Sequence, residues 1–553
     1  MRQRESEQGV KEYDIVIVGA GSTGCVLASR LSQKRSRNVL LLDAGPYFRK
    51  ADEFPDELLH AGSMGGMMPG HPNNWSFVGA LTPDRTYPMP RGKVVGGSSA
   101  INGTYFIRAR KADFDEWAGL GNDEWSYEKV LPYYIKSETD LDFGGDLHGT
   151  DGPMPIRRAD DSEMRPASHA FVQACLDDGF PEDPDKNAES AGGVGRIPRN
   201  CLDGMRMNTA ITYLAQCADR PNLTIEGDTF VRRVIFDGSR AVGVEAERHG
   251  ELVTIRAGEV ILSAGGIKSP HLLMLSGIGA ADTLRRYGLS VVCDRPGVGQ
   301  GVQDHPSVAV LYRIKNDTPL PPDLKPLQAC LNYTAPGSPT ASDLQISCSA
   351  GSLNRMMRRS DSGVAGRVPA YLLHPKSTLK GLRELPARFV MDQARARNDL
   401  LFLCSLDKER SRGEITLAAA DPSVPPEIRL NYLSDPDDLR RMRVNVRTAD
   451  RLLRSPEFVR LGIKRTSPSD EDMASDTTLD AWIARNLGTS FHTSCGARMG
   501  SASDPGSVVD QRGQVHGVEA LRVLDISVSP SVVRRGPHAT AVMIGERGAA
   551  FFD

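Results

Sequence analysis

The glycine-rich turn near the N-terminus limits what this chain can fold into more than any other feature. Residues 14–18 (DIVIV) predict a buried parallel strand, and residues 25–31 have the apolar spacing of a helix. Between them lies Gly19-Ala-Gly-Ser-Thr-Gly24. A second apolar strand, residues 39–42, ends at Asp43, 19 residues after Gly24. This order of strand, turn, helix, strand and acid predicts a dinucleotide-binding βαβ unit.

Each glycine has its own physical role in such a unit. Gly19 permits the tight turn, Gly21 lets a pyrophosphate approach the backbone, and Gly24 lets the helix pack closely on the strand. The positive end of the helix then faces the phosphates, and Asp43 accepts a hydrogen bond from a ribose hydroxyl. An acid at this place favours FAD or NAD over NADP. The alternative, a glycine-rich turn without a ligand, leaves the three glycines together unexplained.

Length and composition indicate a large enzyme of the α/β type. With 553 residues, the chain exceeds the size that one hydrophobic core usually supports. The 67 basic and 70 acidic side chains give a formal charge of −3, which creates no field for nucleic acid or an anionic membrane. No apolar run approaches the roughly 20 residues that cross a bilayer, and residues 1–12 contain no apolar signal segment. Nine scattered cysteines without a C-x-x-C pair predict free thiols, no metal site and a cytoplasmic location.

Two longer segments resemble the signatures of the glucose–methanol–choline oxidoreductases, a family of FAD-dependent alcohol oxidases and dehydrogenases. The first is residues 91–105 (RGKVVGGSSAINGTY), and the second is residues 264–279 (AGGIKSPHLLMLSGIG). The resemblance extends from about residue 13 to the C-terminus. It is greatest to the branch of choline dehydrogenases and hydroxymethylfurfural oxidases. Shorter segments that fit the same pattern lie at residues 296–299, 303–306, 411–413 and 521–527.

The resemblance implies an α/β fold with a Rossmann-like FAD-binding domain. The second domain is α+β and binds the substrate on an antiparallel sheet. We expect the FAD-binding domain to be discontinuous, with residues 1–155, 202–305 and 487–553. Residues 156–201 and 306–486 are expected to form the substrate-binding domain.

The resemblance also implies which residues contact FAD. Gly96-Gly-Ser-Ser99 has little side-chain bulk, so its backbone can pass close to a flat ring, although an ordinary glycine loop is the alternative. Relatives that bind FAD covalently have a histidine at the position of Ile101, so we expect the FAD here to be non-covalent. The expected cofactor-binding residues are Gly19, Gly21, Ser22, Thr23, Gly24, Asp43, Ala44, Arg91, Val94, Gly97, Asn102, Gly103, Thr104, Tyr105, Val231, Asp525, His538 and Thr540.

The C-terminal part resembles the segments of the family that carry the chemistry. Residues 491–500 match the segment with the catalytic histidine, which is His492 here, and residues 536–540 match the segment that supplies its partner, His538. A neutral imidazole, with a reference pKa of about 6.5, suits removal of a hydroxyl proton. The resemblance implies that His492 is the general base and that His538 orients the substrate oxygen. A hydride then passes from the alcohol to flavin N5, the product is an aldehyde or ketone, and oxygen or another redox carrier accepts the electrons.

Two short segments near these histidines have more than one interpretation. Cys495-Gly496 stands where the family usually has Gly-Thr, and a small buried side chain is favoured over a reactive thiol at Cys495. Arg534 and Arg535 either are solvated, or one of them adds positive charge to the site or binds an acidic group of the substrate.

Other histidines are expected to have different roles. His271 and His305 are expected to be structural, whereas His60 and His71 lie in a Met- and Gly-rich stretch that is a candidate lid.

Three alternatives to an alcohol oxidoreductase stay open from the sequence. A hydroxynitrile-lyase-like flavoprotein would use the same scaffold without redox turnover. A binding subunit that has lost catalysis would retain the fold alone. An NAD-dependent dehydrogenase rests on the first βαβ unit only.

Overall fold

The computed structural model describes residues 12–315, 327–351 and 399–552. The first strand, helix and second strand form as predicted: β1 (Glu12–Val18), α1 (Ser22–Leu31) and β2 (Val39–Leu42). The signal-free N-terminus predicted at residues 1–12 lies outside the described residues, except for Glu12.

The described residues form many short strands and a smaller number of helices. The further strands are β3 (Phe77–Thr82), β4 (Arg85–Met89), β5 (Glu138–Asp140), β6 (Met154–Ile156), β7 (Gly193–Arg196), β8 (Cys201–Leu202), β9 (Met205–Arg206), β10 (Leu223–Glu226), β11 (Thr229–Asp237), β12 (Arg240–Arg248), β13 (Glu251–Leu262), β14 (Ile278–Gly279), β15 (Cys293–Asp294), β16 (Gln300–Val302), β17 (Pro306–Arg313), β18 (Leu327–Tyr333), β19 (Leu344–Ser349), β20 (Leu400–Leu406), β21 (Gly413–Thr416), β22 (Glu427–Arg429), β23 (Lys464–Ser467), β24 (Gly488–Thr489) and β25 (Leu521–Val523). The further α-helices are α2 (Asp56–Leu59), α3 (Lys111–Gly119), α4 (Tyr127–Ser137), α5 (Pro166–Asp177), α6 (Gly265–Leu275), α7 (Ala281–Arg286), α8 (Pro436–Leu453), α9 (Pro456–Arg460), α10 (Asp470–Met473), α11 (Asp476–Asn486) and α12 (His538–Ala550).

The glycine-rich turn belongs to a mainly parallel sheet. Its strands follow the order β10-β2-β1-β13, and β25 runs parallel beside the C-terminal half of β13. The N-terminal half of β13 instead pairs with β12, which continues to β11 as an antiparallel meander. The carboxyl ends of β1, β2 and β13 meet at one edge, where such sheets bind their ligands.

The segment from residue 222 to 234 does not form a single strand of this meander. The structure divides it into β10, which pairs with β2 in the parallel sheet, and β11, which pairs with β12. The chain turns between them because Asp228 adopts a positive φ of 49°.

A second large sheet is antiparallel. Its order is β23-β17-β20-β19-β18-β7, and β24 pairs with β17 beside β23. The strands β21 and β22 lie outside this sheet and form a smaller sheet with β16, β3 and β4. The domain boundaries given above stay a prediction.

Helix α6 begins earlier than the sequence indicates. Ser269-Pro270 has the residue types of a helix start, but the helix begins at Gly265, whose φ of +84° turns the chain shortly after β13. The Ser269 hydroxyl donates a hydrogen bond of 2.5 Å to Asp525 Oδ2 instead of capping the helix.

The last helix packs against the first one. Thr23 Oγ1 of α1 donates to the carbonyl of Ala541 in α12 at 2.8 Å, and Arg30 forms an ion pair with Glu546 at 2.7 Å. A Cβ on Gly545 would lie 2.7 Å from Cβ of Val26, so glycine permits this close approach. Within the described ranges, every helix is too short or too polar to span a bilayer.

Candidate active site

A cavity of about 590 Å³ extends from the edge of the parallel sheet to one face of the antiparallel sheet. Most of the site residues predicted from the sequence line this cavity. They are Gly19, Gly21, Ser22, Thr23, Asp43, Ala44, Arg91, Gly97, Asn102, Gly103, Tyr105, Val231, His492, Asp525 and His538.

The other predicted site residues lie behind the cavity wall. They are Gly24, Val94, Thr104 and Thr540. A Cβ on Gly24 would lie 1.9 Å from the carbonyl oxygen of Gly19, so this glycine lets α1 pack on the turn. Val94 is fully buried, and both threonine side chains form hydrogen bonds inside the protein. These residues shape the wall without facing its interior.

One end of the cavity suits a pyrophosphate. Gly21 precedes α1 without a side-chain cap, and the first turn of α1 contains no acidic residue. The positive end of the helix is therefore open toward an anion. Asp43 holds the turn, because its carboxylate accepts hydrogen bonds from the backbone N–H groups of Ala20 at 2.9 Å and Gly45 at 2.8 Å. Burial raises the pKa of Asp43 to about 6.

An aromatic pocket beside this end was not predicted. Lys268 Nζ lies 5.2 Å from the ring centre of Trp75 and 5.4 Å from that of Phe230, and it approaches His271 Nδ1 at 3.0 Å. Burial lowers the pKa of Lys268 to about 8. Trp75 and Lys268 are far apart in the sequence, so no local pattern could have indicated this pocket. The aromatic pocket offers flat apolar ring surfaces at the end of the cavity that Val231 lines.

His492 is held by a second histidine. His305 Nδ1 lies 2.7 Å from His492 Nδ1, and His305 Nε2 lies 3.0 Å from the carbonyl oxygen of Val533. A carbonyl only accepts, so His305 carries its proton on Nε2 and accepts at Nδ1. His492 must then donate from Nδ1, which leaves the lone pair of its Nε2 free. His305 was expected to be structural, and the structure places it in direct contact with His492.

His538 carries its proton on the other ring nitrogen, Nε2. The amide of Asn102 is oriented by its oxygen, which accepts the Thr104 backbone N–H at 2.9 Å. Its nitrogen therefore donates to His538 Nδ1 at 3.3 Å, and the proton of the imidazole resides on Nε2. This Nε2 has no partner among the described residues, although it is buried. Thus His492 offers an acceptor and His538 a donor on the wall of the same cavity.

Burial keeps the three imidazoles neutral. It lowers the pKa of His305 to about 4 and that of His538 to about 4. Burial, with the nearby His305 and Arg91, lowers the pKa of His492 well below its ordinary value. A neutral His492 can accept a proton at physiological pH.

The buried carboxylate of Asp304 connects the segment that carries His305 with the segment that carries His492. Asp304 Oδ1 accepts the backbone N–H groups of His305 and His492, each at 2.7 Å. Its Oδ2 accepts the hydroxyl of Thr493 at 2.7 Å, and that hydroxyl accepts a bond from Arg91 Nη2 at 2.7 Å. The Gln-Asp-His-Pro motif at residues 303–306 was visible in the sequence. Its contact with residues nearly two hundred positions later was not.

Several residues around the cavity have left-handed backbone conformations. Such φ angles cost non-glycine residues about 1 kcal/mol or more, and they concentrate at functional sites. The non-glycine residues concerned are Thr104 at 61°, Phe491 at 65°, Cys495 at 76° and Arg535 at 73°.

The side chain of Cys495 is fully buried, as predicted, and burial raises the pKa of its thiol to about 12.

The two arginines before His538 are not solvated. Arg534 is buried and forms an ion pair with Asp113 at 2.6 Å. Arg535 is buried as well, and it donates hydrogen bonds to the backbone carbonyls of Lys186 and Arg108. Their interpretation as a solvated pair is therefore wrong, and both side chains anchor the segment that leads to His538.

The candidate lid contributes methionines rather than histidines to the cavity. Met64 and Met67 line it, whereas His71 is buried against Glu57 at 3.1 Å. Arg206 attaches this stretch to the first signature, because its guanidinium donates hydrogen bonds to backbone carbonyls in both segments. These carbonyls belong to Glu57, Leu58, Ser63, Ala100 and Asn102.

One buried group has the composition of a metal site. Ligand atoms of Glu138, Asp140 and His148 lie within 4.8 Å of one another. Hydrogen bonds to Asp140, Asp185 and Glu138 raise the pKa of His148 to about 11. Glu138 forms an ion pair with Arg108 at 2.6 Å and Asp140 forms one with Arg158 at 2.8 Å, so the group is part of a network of paired charges.

Comparisons with known proteins give a consistent result. The family profile described as GMC oxidoreductase matches residues 13–307 with its N-terminal part and residues 409–545 with its C-terminal part. The chain is 38% identical over 540 residues to an uncharacterized GMC-type oxidoreductase of Rhodococcus erythropolis, which covers 97% of both chains. It is 33% identical over 544 residues to the oxygen-dependent choline dehydrogenase of Photobacterium profundum, covering 97% of this chain and 92% of the other.

A solved structure has the same fold. Pyridoxine 4-oxidase from Mesorbium loti superposes with a TM-score of 0.83 at 25% identity, covering 98% of this chain and 99% of that one. The predicted fold class, α/β with a second, sheet-based lobe, is confirmed.

Proposed function

This chain belongs to the GMC oxidoreductase family, and on that premise we propose that it uses FAD to oxidise the CH–OH group of an alcohol to an aldehyde or ketone. Membership confirms the predicted resemblance and makes the chain an enzyme that acts on CH–OH donors. The observation that carries the proposal is the pairing of a free acceptor, His492 Nε2, with a free donor, His538 Nε2, in one cavity.

The residues present fit an FAD. The uncapped start of α1 suits the pyrophosphate, and the segment around Val231 suits the adenine end. The start of α12 has neither a side-chain cap nor an acid in its first turn, so its positive end favours negative charge near His538. Ile101 lines the cavity and offers no atom for a covalent bond, so we propose non-covalent FAD. When bound, FAD supplies a hydride acceptor.

The chain's own residues handle the hydroxyl proton. His492 Nε2 takes it from the alcohol, while His538 Nε2–H donates a hydrogen bond that holds the same oxygen. The charge that develops on His492 is shared with His305 through their Nδ1 contact of 2.7 Å. Asp304, which is bonded to the backbone of both histidines, provides the nearby negative charge that stabilises it.

The test is anaerobic titration of the purified protein with primary alcohols, followed through its visible spectrum. We expect a flavin spectrum that bleaches. His492→Asn should retain that spectrum but lower kcat/KM about 100-fold or more, the usual scale for general base catalysis. A flavin that no alcohol bleaches, together with cleavage of a cyanohydrin, would replace the proposal with the lyase alternative.

A further inference from the structure

One face of the antiparallel sheet forms the cavity wall beyond the histidines. Ala309 and Leu311 of β17 lie on this face, opposite Leu403 and Leu401 of β20. All four line the cavity and are partly exposed there. Their neighbours in the sequence point to the opposite face and are buried, as the alternation of a strand requires. The result is a continuous aliphatic row.

The row leads away from the reacting end. β17 follows directly after His305, the residue that holds His492. An extended chain advances about 3.3 Å per residue, so Ala309 lies about 13 Å and Leu311 about 20 Å along the strand from His305. A substrate that places its hydroxyl at the histidines and is long enough therefore reaches this row.

The polar side chains beside the row are already paired. Ser347 accepts from the hydroxyl of Tyr105 at 2.9 Å and from the amide of Gln345 at 3.1 Å. The Gln345 oxygen accepts from Asn332 at 3.1 Å. These bonds use both lone pairs of Ser347 Oγ and engage the amide oxygen of Gln345, so the acceptors beside the row already have donors.

The carboxylate at this end of the cavity is paired as well. Asp399 forms an ion pair with Arg313 and accepts the hydroxyl of Thr466 at 2.8 Å. A cationic head group bound on the aliphatic row would thus meet a carboxylate whose charge is already compensated. Transferring a cation from water to such a wall is unfavourable.

From this wall we infer that the substrate is an uncharged primary alcohol with an unbranched apolar tail, which packs on Ala309, Leu311, Leu401 and Leu403. This inference rests on the proposed function and specifies the substrate class of the same site. It separates this chain from its relatives named choline dehydrogenase, since choline carries a permanent positive charge.

The test measures kcat/KM for flavin reduction by 1-hexanol, 1-octanol, 1-decanol, 1-dodecanol, 1-tetradecanol and choline. Because the row begins about 13 Å from His305, only the longer tails reach it. Burying one CH₂ contributes about 0.8 kcal/mol, so kcat/KM should rise about fourfold for each CH₂ that packs on the row. 1-Dodecanol should exceed choline, which is too short to reach the row, by about 100-fold or more. Leu403→Ser should flatten the dependence on chain length, whereas the control Val459→Ser, on the exposed surface of α9, should leave it unchanged.

The wild-type series decides the inference even where the Leu403 variant does not fold. Choline that reduces the flavin as fast as 1-dodecanol, or a series without dependence on chain length, would overturn the substrate class while the proposed function stands. A flavin that neither choline nor any alcohol reduces would overturn the proposed function, and the substrate class with it.

Discussion

His305 Nδ1 lies 2.7 Å from His492 Nδ1, and this contact decides which nitrogen of His492 is free to accept a proton. The bond from His305 Nε2 to the Val533 carbonyl fixes the tautomer of the first ring, and the first ring fixes that of the second. A third group that orients the base is familiar from hydrolytic triads, where it is a carboxylate. Here the orienting group is a neutral imidazole, which Asp304 supports from the backbone side.

Replacing His305 tests this positioning role. His305→Leu removes the acceptor for His492 Nδ1–H, and we expect kcat/KM to fall about 100-fold while the flavin spectrum is retained. His305→Gln keeps an acceptor oxygen and should recover part of the loss.

The control for this pair is His169→Leu, a surface histidine outside the cavity, which should leave rate and pH profile unchanged. Equal loss in the Leu and Gln variants would assign His305 a purely structural role.

The depressed histidine pKa values predict the pH dependence of the reaction. Both His492 and His538 must be neutral, and their pKa values are lowered, that of His538 to about 4. As the pH falls from 8, kcat/KM should therefore stay constant through 6.5, the ordinary pKa of histidine, and decline only below about 5. The measurement is anaerobic flavin reduction between pH 4.5 and 8, with circular dichroism to verify folding. A midpoint at or above pH 6.5 would contradict this expectation.

The backbone at Cys495 predicts an unusual order of stabilities. Its φ of +76° disfavours any residue with a Cβ, so Cys495→Gly should be more stable than Cys495→Ala by about 1 kcal/mol. Cys404, which is equally buried but lies in the extended strand β20, is the matched control. There the alanine variant should be the more stable one. Denaturant unfolding of the four variants measures both differences, and the same order at both sites would refute the argument.

The hydrogen bonds of Arg206 predict how strongly the stretch that contains Met64 and Met67 is attached to the first signature. Arg206→Met leaves five backbone carbonyl oxygens without their charged donor, which should cost about 3 kcal/mol or more. We expect a lower Tm and weaker flavin retention, because Asn102 belongs to the cavity wall. Arg240→Met, which breaks a surface ion pair with Glu519, should change stability by about 0.5 kcal/mol or less. Equal effects of the two substitutions would show that the carbonyls find other donors.

Local patterns in the sequence predicted the cofactor end of the molecule well. The roles of Gly19 and Gly24 follow from steric limits that act within a few residues, and the structure places both where the strand–turn–helix geometry requires them. The same holds for β2, whose four residues agree with the predicted segment. Such features depend on short-range geometry, which a sequence displays directly.

Contacts between distant segments could not be predicted in this way. The bond between His305 and His492 joins residues 187 positions apart, and the pairing of β21 with β16 joins strands that have no common pattern. The placement of Lys268 between Trp75 and Phe230 likewise depends on the tertiary fold. In each case, the identity of the neighbour is decided by packing rather than by the local sequence.

The hydrogen bond from Thr23 to the Ala541 carbonyl has a consequence for how the protein is made. It joins residues 518 positions apart, on the two helices whose first turns line the cavity. At roughly 5–20 residues per second, a ribosome delivers the second partner about 25 to 100 seconds after the first. Until then the nascent glycine turn has only part of its pocket, so the flavin is captured late in synthesis or after it.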